Sequence, residues 1–589
     1  MWKKVTPLIL FMTLLSIHGS FAQPDTGIEG VWEGQLKVGP TSLRLVFHFE
    51  KADDGAWHGT MDSPDQGAEG IPLGSVTLKG SRVEATVPSI RGVFSGTMSA
   101  DGSSLEGMWR QGASELPLRL TRSAGEAPPA PPAPSPDVDV AGDWLGTLAV
   151  GGVELRIVFH FTKGDDGALH GTMDSPDQGA EGIPLGRIEG AGMKIRVEVP
   201  AVGGVYEGVI DADGGRIEGT WSQGGQTFPL TLARVREGEK IEKPKRPQEP
   251  ERPLPYREEE VRFRNGDAGI TLAGTLTLPE GEGPFPAAVL ISGSGPQNRD
   301  EALLGHRPFL VLSDYLTRHG IAVLRFDDRG TGESEGDFGS ATTADFATDV
   351  AAALDYLEAR GEVDAAAVGL IGHSEGGLIA PMVAAERPDV AFIVLMAGPG
   401  LTGERILELQ SVLIARAEGT DEDVIAWNSR VQKLIFDIVK TTLDDAEAKA
   451  KIREAMAGEI ARLSEAEKEK YKVGEMNSDA QIRQVLSPWF RFFLTYDPAP
   501  TLRKVHCPVL AINGEKDLQV PPKENLSAIE EALKAGGNTQ YEVVEMPGLN
   551  HLFQPAETGA ISEYAKIEVT IAPEALDRIT RWILAKTGR

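Results

Sequence analysis

The chain has 589 residues, of which 41% are hydrophobic and 25% are charged, and its formal net charge is −29. This composition is typical of folded globular proteins and excludes disorder along the whole chain. Because 87 acidic residues face 58 basic ones, the chain would repel a polyanion, which argues against nucleic-acid binding. The single cysteine, Cys507, allows no intrachain disulfide and no zinc cluster built on several thiolates; we interpret it as a core residue.

The first 22 residues have the pattern of a signal peptide. Lys3 and Lys4 precede an apolar run over residues 5–17, and Ser20 and Ala22 are the small residues that signal peptidase reads. The apolar run is short for a membrane span, although a membrane anchor is the alternative. We therefore predict an exported protein, periplasmic or extracellular, with cleavage near Ala22 and no transmembrane span.

An internal repeat follows. Residues 58–74 recur unchanged as residues 170–186, at an offset of 112 that also relates Trp32 to Trp144. Both copies combine strand-like apolar patterns with Asp-Gly turn signals, so we predict two all-β repeats, 28–122 and 140–234, folded as barrels or sandwiches. The Gly-x-Trp openings of the two copies resemble the start of lipocalin-type barrels.

Two linkers separate these regions. Residues 123–139 are rich in proline and alanine, and residues 235–256 are charged and proline-rich. The Asp-Ser-Pro-Asp-Gln-Gly segment of each repeat is predicted to be a turn, with a ligand-binding loop as the alternative. We interpret the four histidines of the repeats as packed or solvent-facing strand residues rather than metal ligands, since each copy offers only two; they are His48, His58, His160 and His170.

The pattern changes over residues 257–589. Strands are predicted at 259–263, 270–278, 287–291, 321–326, 367–371, 391–396, 509–512 and 541–544, and helices at 309–318, 343–359, 376–385 and 573–586. Alternating strands and helices indicate a mostly parallel sheet with helices on both faces. Residues 402–495 have a helical, charged pattern without strands. Their dense aromatic end, residues 488–498, either lines a pocket or packs this insertion onto the core.

A nucleophile motif lies within this region. Residues 372–376 read Gly-x-Ser-x-Gly, after a buried strand and before a helix. This context is that of a nucleophile elbow, which presents the serine hydroxyl at the carboxyl edge of the sheet. Ser374 is therefore the candidate nucleophile, and it needs a base and an acid that orients the base.

The base and the acid follow the nucleophile along the chain in such sheets. Only His506 and His551 follow Ser374. His506 precedes a strand, at the wrong edge of the sheet, whereas His551 follows one, so we predict His551 as the base. Asp517, after the strand at 509–512, is the predicted acid, with Glu515 as the alternative.

Two backbone N–H groups must receive the oxyanion. The first is predicted to be that of Glu375, directly after the nucleophile. The second should come from the loop over residues 292–300, where we rank Ser294 first and Gln297 second and exclude Pro296, which has no N–H.

Together these motifs resemble the α/β-hydrolase superfamily, in particular its exported bacterial carboxylesterase-like group. The resemblance covers residues 257–589 and rests on the segments 293–297, 326–334, 372–376, 513–517 and 550–551. It implies a Ser374–His551–Asp517 triad, an acyl-enzyme intermediate, a helical cap over 402–495 and a small-molecule ester as substrate. It implies no metal or organic cofactor. It also implies that residues 327–329 brace loops by ion pairs.

Other functions share this triad. A prolyl-oligopeptidase-like peptidase or amidase would carry propeller blades of about 40–50 residues, which the offset of 112 does not match; a thioesterase or acyltransferase stays open. An alternative of another class is a protein that binds a polymer or cell surface through the β repeats.

Overall fold

The computed structural model describes two stretches of the chain. The first is residue 28 and residues 30–122, with gaps at 39–40, 52–56, 64–67, 80–81, 88–91, 100–103 and 112–113. The second is residues 139–589, with gaps at 151–152, 165–166, 224–225, 237, 242–243, 472 and 474–478. The predicted signal peptide and nearly all of the first linker lie outside the described residues. Over the described residues, no helix combines the length and the apolar character needed to cross a membrane.

The first stretch is a compact all-β unit. Its strands are β1 (Gly30–Val38), β2 (Thr41–Lys51), β3 (Trp57–Ser63), β4 (Ala68–Pro72), β5 (Val76–Lys79), β6 (Arg82–Val87), β7 (Gly92–Met98), β8 (Ser104–Gln111) and β9 (Ser114–Arg122). The order is β2-β1-β9-β8-β7-β6-β5-β3-β4, and β3 also pairs with β2. Eight strands therefore close into a ring around Trp32, Phe47, Phe94 and Trp109, all buried.

The second repeat forms a sheet of the same size. Its strands are β10 (Gly142–Val150), β11 (Val153–Lys163), β12 (Leu169–Ser175), β13 (Ala180–Pro184), β14 (Ile188–Ala191), β15 (Lys194–Val199), β16 (Gly204–Ile210), β17 (Arg216–Gln223) and β18 (Gln226–Arg234). Antiparallel pairing runs from β13 through β12, β11, β10, β18, β17, β16 and β15 to β14. The core repeats that of the first copy, with Trp144, Phe159, Tyr206 and Trp221 buried.

An eight-stranded mixed sheet organises the C-terminal region. Its strands are β19 (Arg257–Asn265), β20 (Ile270–Leu278), β21 (Phe285–Ile291), β22 (Ala322–Phe326), β23 (Val363–His373), β24 (Ile393–Met396), β25 (Val509–Gly514) and β26 (Tyr541–Met546). The order is β19-β20-β22-β21-β23-β24-β25-β26. The antiparallel hairpin β19–β20 lies at one side of the sheet and pairs with β22, and the six strands β21–β26 are parallel to one another. Their carboxyl ends therefore lie at one edge.

Helices cover both faces of this sheet. They are α1 (Pro308–Arg318), α2 (Thr343–Glu358), α3 (Gly376–Glu386), α10 (Ala499–Leu502), α11 (Pro522–Ala535), α12 (Ile561–Tyr564) and α13 (Pro573–Lys586). Residues of α2, α3 and α11 pack on one face, and residues of α1 and α13 pack on the other. Successive strand residues such as Val289 and Leu290 belong to opposite cores, as the two-residue period of a strand requires.

Six helices in the described part of the chain form the insertion that follows β24. They are α4 (Gly403–Ala417), α5 (Glu422–Thr441), α6 (Asp445–Ala461), α7 (Glu465–Lys470), α8 (Asp479–Val485) and α9 (Pro488–Thr495). They share a core of their own, which includes Trp427, Phe436, Met456 and Phe490 and also reaches Leu378 of α3. This is the helical cap.

The second repeat packs directly on the α/β region. Val153 and Leu155 of β11 form one buried cluster with Leu304, Leu552 and Tyr564 of that region. The segment over residues 235–256 also contacts the α/β region. Its Arg246 donates hydrogen bonds of 2.9–3.2 Å to four backbone carbonyl oxygens of that region, those of Gly305, Leu304, Ile567 and Ala565.

The predicted fold class is confirmed in both parts. The repeats are all-β, and the C-terminal region is a mostly parallel sheet with helices on both faces and a helical insertion. Beside the short helices α10 and α12, which were not predicted, two larger elements differ from the sequence pattern. Strand β23 begins at Val363, because a register shift lets Phe285 pair with Val363 before the regular pairing starts. The pattern also overlooked α11, which lies between β25 and β26.

Candidate functional site

Ser374 stands on a sharp turn between β23 and α3. Its φ of +53° is in the left-handed region, which costs a non-glycine residue energy and is tolerated where neighbours fix it. The flanking glycines permit this turn: a Cβ on Gly372 would lie 2.0 Å from the Gly376 carbonyl oxygen, and one on Gly376 would lie 2.2 Å from that of Ile291. The Ser374 N–H donates to the carbonyl oxygen of Met396 at 2.9 Å, which ties the turn to β24.

The structure brings His551 and Asp517 together. His551 Nδ1 lies 2.7 Å from Asp517 Oδ2, and both side chains are buried. The second oxygen of Asp517 accepts the N–H groups of Gln519 and Val520 at 2.8 Å each. Asp517 is thus held as an acceptor, an arrangement that leaves Nε2 of His551 free to act on a proton.

The loop that carries His551 is braced from within. The Asn550 side-chain oxygen accepts the N–H groups of Leu552 and Gln554 at 3.0 and 2.9 Å. The two residues considered as alternatives lie elsewhere. Glu515 accepts the N–H of Gly548 at 2.8 Å, and His506 is an exposed residue before β25.

The loop after β21 passes beside the nucleophile. A Cβ on Gly293 would lie 3.2 Å from Ser374 Cβ. The Gln297 N–H donates to Asp328 Oδ2 at 2.8 Å, and the Gly293 N–H donates to Glu301 Oε1 at 2.7 Å. Among the described residues, the N–H groups of Ser294 and Glu375 have no such acceptor, which favours Ser294 over Gln297 for an oxyanion.

Charged groups brace the loops around this edge. Asp327 pairs with Arg299 at 2.8 Å, and Arg329 pairs with Asp349 at 2.7 Å. Asp328 acts differently: it accepts from Ser292 Oγ and from the Gln297 N–H. Burial raises the pKa of Asp328 well above its usual range.

The Glu375 side chain links the elbow to the cap. Its Oε1 accepts from Thr343 Oγ1 at 2.6 Å and from Trp489 Nε1, on α9, at 2.7 Å. Burial raises the pKa of this carboxyl group. The aromatic end of the insertion therefore serves packing, since Trp489, Phe490 and Phe493 all belong to the buried cap core.

Sequence reasoning missed a second buried pair beside the elbow. His373 Nδ1 lies 2.9 Å from Glu301 Oε1, and His373 Nε2 lies 3.1 Å from the His551 carbonyl oxygen. The only sequence signal was a histidine directly before the nucleophile. Its partner lies 72 residues away in the chain.

The other residues singled out lie outside this site. In the repeats, His48 pairs with Asp62 at 2.7 Å, and His160 lies between Asp143 and Asp174 at 2.7 and 3.0 Å. The turn in the second repeat ends at Gly179, which has a φ of +68°; its equivalent in the first repeat lies largely outside the described residues. Burial raises the pKa of the Cys507 thiol to about 12, which disfavours the thiolate.

Part of the C-terminal region is similar in sequence to known alpha/beta hydrolases. The sequence model of the alpha/beta hydrolase family matches residues 288–561. Esterase EstD of Thermotoga maritima is 26% identical over 319 residues, which are 53% of this chain and 65% of the esterase. The chain thus spans less than two thirds of that relative's length.

Two solved structures are also similar. The esterase PF2001 of Pyrococcus furiosus is 16% identical, with a TM-score of 0.34, over 56% of this chain and 91% of that one. Est1E of Butyrivibrio proteoclasticus, bound to ferulic acid, is 18% identical, with a TM-score of 0.33, over 56% of this chain and all of that one. The C-terminal region thus has an α/β-hydrolase fold, and its sequence is similar to the alpha/beta hydrolase family and to an esterase.

Proposed function

We propose that the protein hydrolyses carboxylic esters through an acyl-enzyme on Ser374. The observation that carries the proposal is the buried contact of 2.7 Å between His551 Nδ1 and Asp517 Oδ2, at the sheet edge where the elbow presents Ser374. A histidine held in this way has a fixed tautomer, with its other nitrogen available to a serine hydroxyl.

The chemistry follows from these positions. Ser374 Oγ attacks the ester carbonyl while His551 Nε2 takes its proton, and the same proton then goes to the leaving alcohol. Water, activated by His551, attacks the acyl-enzyme, and Ser374 leaves with the proton. Asp517, which accepts two backbone N–H groups, stays an acceptor and stabilises the imidazolium.

The developing oxyanion would meet the N–H groups of Glu375 and Ser294. Both lack another acceptor in the described part of the chain, and backbone donors of this kind typically contribute a factor of about 10² to 10³ in rate. Charge stabilisation is therefore assigned to the backbone of two loops rather than to side chains.

The domain division and the location of the protein are proposals too. We propose a signal peptide over residues 1–22, repeats over 28–122 and 140–234, linkers over 123–139 and 235–256, and a hydrolase domain over 257–589. Export to the periplasm or medium rests on the pattern of the first 22 residues. A ligand for the β repeats is part of this hypothesis, and binding of residues 23–235 to cell-wall polymers would test it.

The decisive experiment is the hydrolysis of a short-chain nitrophenyl ester by the wild-type protein and by Ser374→Ala. We expect the variant to lose a factor of about 10³ or more in kcat, with an unchanged unfolding midpoint. A folded wild type without turnover, or a variant that keeps it, would contradict the proposal. The corresponding anilide and thioester, run in parallel, separate an esterase from an amidase or a thioesterase on the same triad.

A further inference from the structure

A buried acid–histidine pair lies behind the proposed catalytic residues. The side chains of Glu301 and His373 are only 5% and 7% exposed, and His373 Nδ1 is 2.9 Å from Glu301 Oε1. Placing ionisable groups in the interior is unfavourable unless they are paired. The pair takes no part in the chemical steps described above, so its retention at this place needs another explanation.

The partners of His373 define its protonation. Nδ1 faces a carboxylate oxygen and Nε2 faces a backbone carbonyl oxygen, and both of these atoms are acceptors. Because a backbone carbonyl oxygen can only accept, Nε2 carries a proton, and an ionised Glu301 favours a second proton on Nδ1. Burial works to lower the pKa of His373, but the charge and hydrogen bond of Glu301 outweigh it, so that this pKa is raised.

One carboxyl group thereby connects three segments of the site. Glu301 Oε1 accepts from His373 of the elbow and from the Gly293 N–H of the loop after β21. His373 in turn donates to the backbone of His551. Glu301 has a φ of +50°, and its Oε2 is buried without a hydrogen-bond partner in the described part of the chain. This backbone conformation and unpaired oxygen indicate a position kept for its contacts rather than for local stability.

We propose that Glu301 and His373 are positioning residues for His551, which, if the proposed function holds, set both the place of the catalytic imidazole and the charge beside it. The rings of His373 and His551 have their centroids 4.9 Å apart. A protonated His373 at this distance disfavours a second imidazolium, and so helps to keep His551 neutral and able to accept a proton.

The other ionisable groups around the pair do not supply this effect. Asp517 contacts His551 Nδ1 at 2.7 Å, where its negative charge favours the imidazolium. Tyr564 of α12 lies near Asp517 and His551, and burial raises the pKa of its hydroxyl group, which stays neutral. His373 is therefore the positive charge assigned to this position.

The test compares the pH profiles of kcat/KM and of the phosphonylation of Ser374 by a fluorophosphonate. In Glu301→Gln, the negative charge that favours a proton on Nδ1 is removed, so that His373 becomes neutral more readily while its Nε2–H still reaches His551. In His373→Gln, the amide nitrogen replaces Nε2 without a charge. For both variants we expect the acidic limb of the profiles to move up by about one pH unit, with kcat/KM at pH 7 several-fold lower. Glu301→Asp, which keeps the charge, should move the acidic limb less than Glu301→Gln does.

Glu362→Gln is the matched control, because Glu362 lies in an exposed ion pair with Arg257, away from this site. Wild-type turnover that depends on Ser374 is established first, since its absence contradicts the proposed function. Active, folded glutamine variants with the wild-type acidic limb contradict only the positioning role. If neither variant folds, the ¹⁵N-histidine spectrum of the wild type decides: one slowly exchanging histidine that stays protonated on both nitrogens at a pH where exposed histidines are neutral supports the inference, and its absence overturns it.

Discussion

Glu375 acts through two separate groups, a backbone N–H that faces the proposed oxyanion and a carboxyl group that faces Thr343 and Trp489. Because burial raises the pKa of the carboxyl group, the folded protein binds its proton more tightly than the unfolded chain does. The resulting cost to stability is absent at low pH, where both states are protonated, and grows as the pH rises through that raised pKa.

Glu375→Gln removes this cost and keeps an oxygen for both donors. We expect the unfolding midpoint of the variant to exceed that of the wild type by about 2 °C at pH 8, with a smaller difference at pH 5. Thermal unfolding at several pH values measures this. Glu386→Gln at the other end of α3, where the carboxylate is exposed, serves as the control and should show no pH-dependent gain. A constant or negative difference would contradict the assignment.

At the same scale, sequence motifs predicted the three residues of the proposed triad. Ser374 followed from the elbow, and His551 and Asp517 from chain order and from the edge at which their strands end. The contact between His373 and Glu301 could not be predicted, because it spans 72 residues and depends on how one loop folds over the elbow. The use of the Gln297 N–H by Asp328 is likewise a matter of loop conformation.

Among the elements, α9 anchors the cap to the elbow. Trp489 stacks on Phe493 at a centroid distance of 5.2 Å and donates its indole N–H to Glu375. Trp489→Phe keeps an aromatic ring and removes the donor to a buried carboxyl group, at an expected cost of about 1–3 kcal/mol in the free energy of unfolding. Urea unfolding measures the cost. Phe492→Leu, which changes a stack of this helix with Tyr496 directly after it, is the control; equal losses would mean that packing and not the hydrogen bond decides.

Elements with a strong apolar period were predicted well, and those without one were not. Strands β22, β24 and β25 are buried throughout, so their uninterrupted apolar runs identified them. Helix α11 is the exception: it begins with a proline in its first turn and buries Leu526, Ile529 and Leu533 at helical spacing, and it was still not predicted. The early start of β23 has no sequence signal, because residues 364–366 lie partly exposed within the strand.

For the whole molecule, the second repeat is part of the structure around the proposed site. Leu155 of β11 is 8% exposed and shares a cluster with Leu304, Leu552 and Tyr564. Leu552 directly follows His551, and Leu304 lies in the loop that carries Glu301. The repeat therefore supports, from outside, two of the segments on which the position of His551 depends. This contact gives the second repeat a structural role that requires no ligand.

Leu155→Asp would place an unpaired carboxylate in that cluster, and we expect it to cost about 2–4 kcal/mol and to lower kcat/KM. Val209→Asp is the matched control, because Val209 belongs to the same repeat but is 50% exposed, and it should change neither quantity. Hydrogen exchange over residues 303–306 and 548–567 locates the effect: faster exchange there in Leu155→Asp alone indicates that the repeat holds the catalytic loop. If Leu155→Asp lowers stability while these segments and kcat/KM stay as in the wild type, the repeat stabilises only itself, and its function must be sought in a ligand.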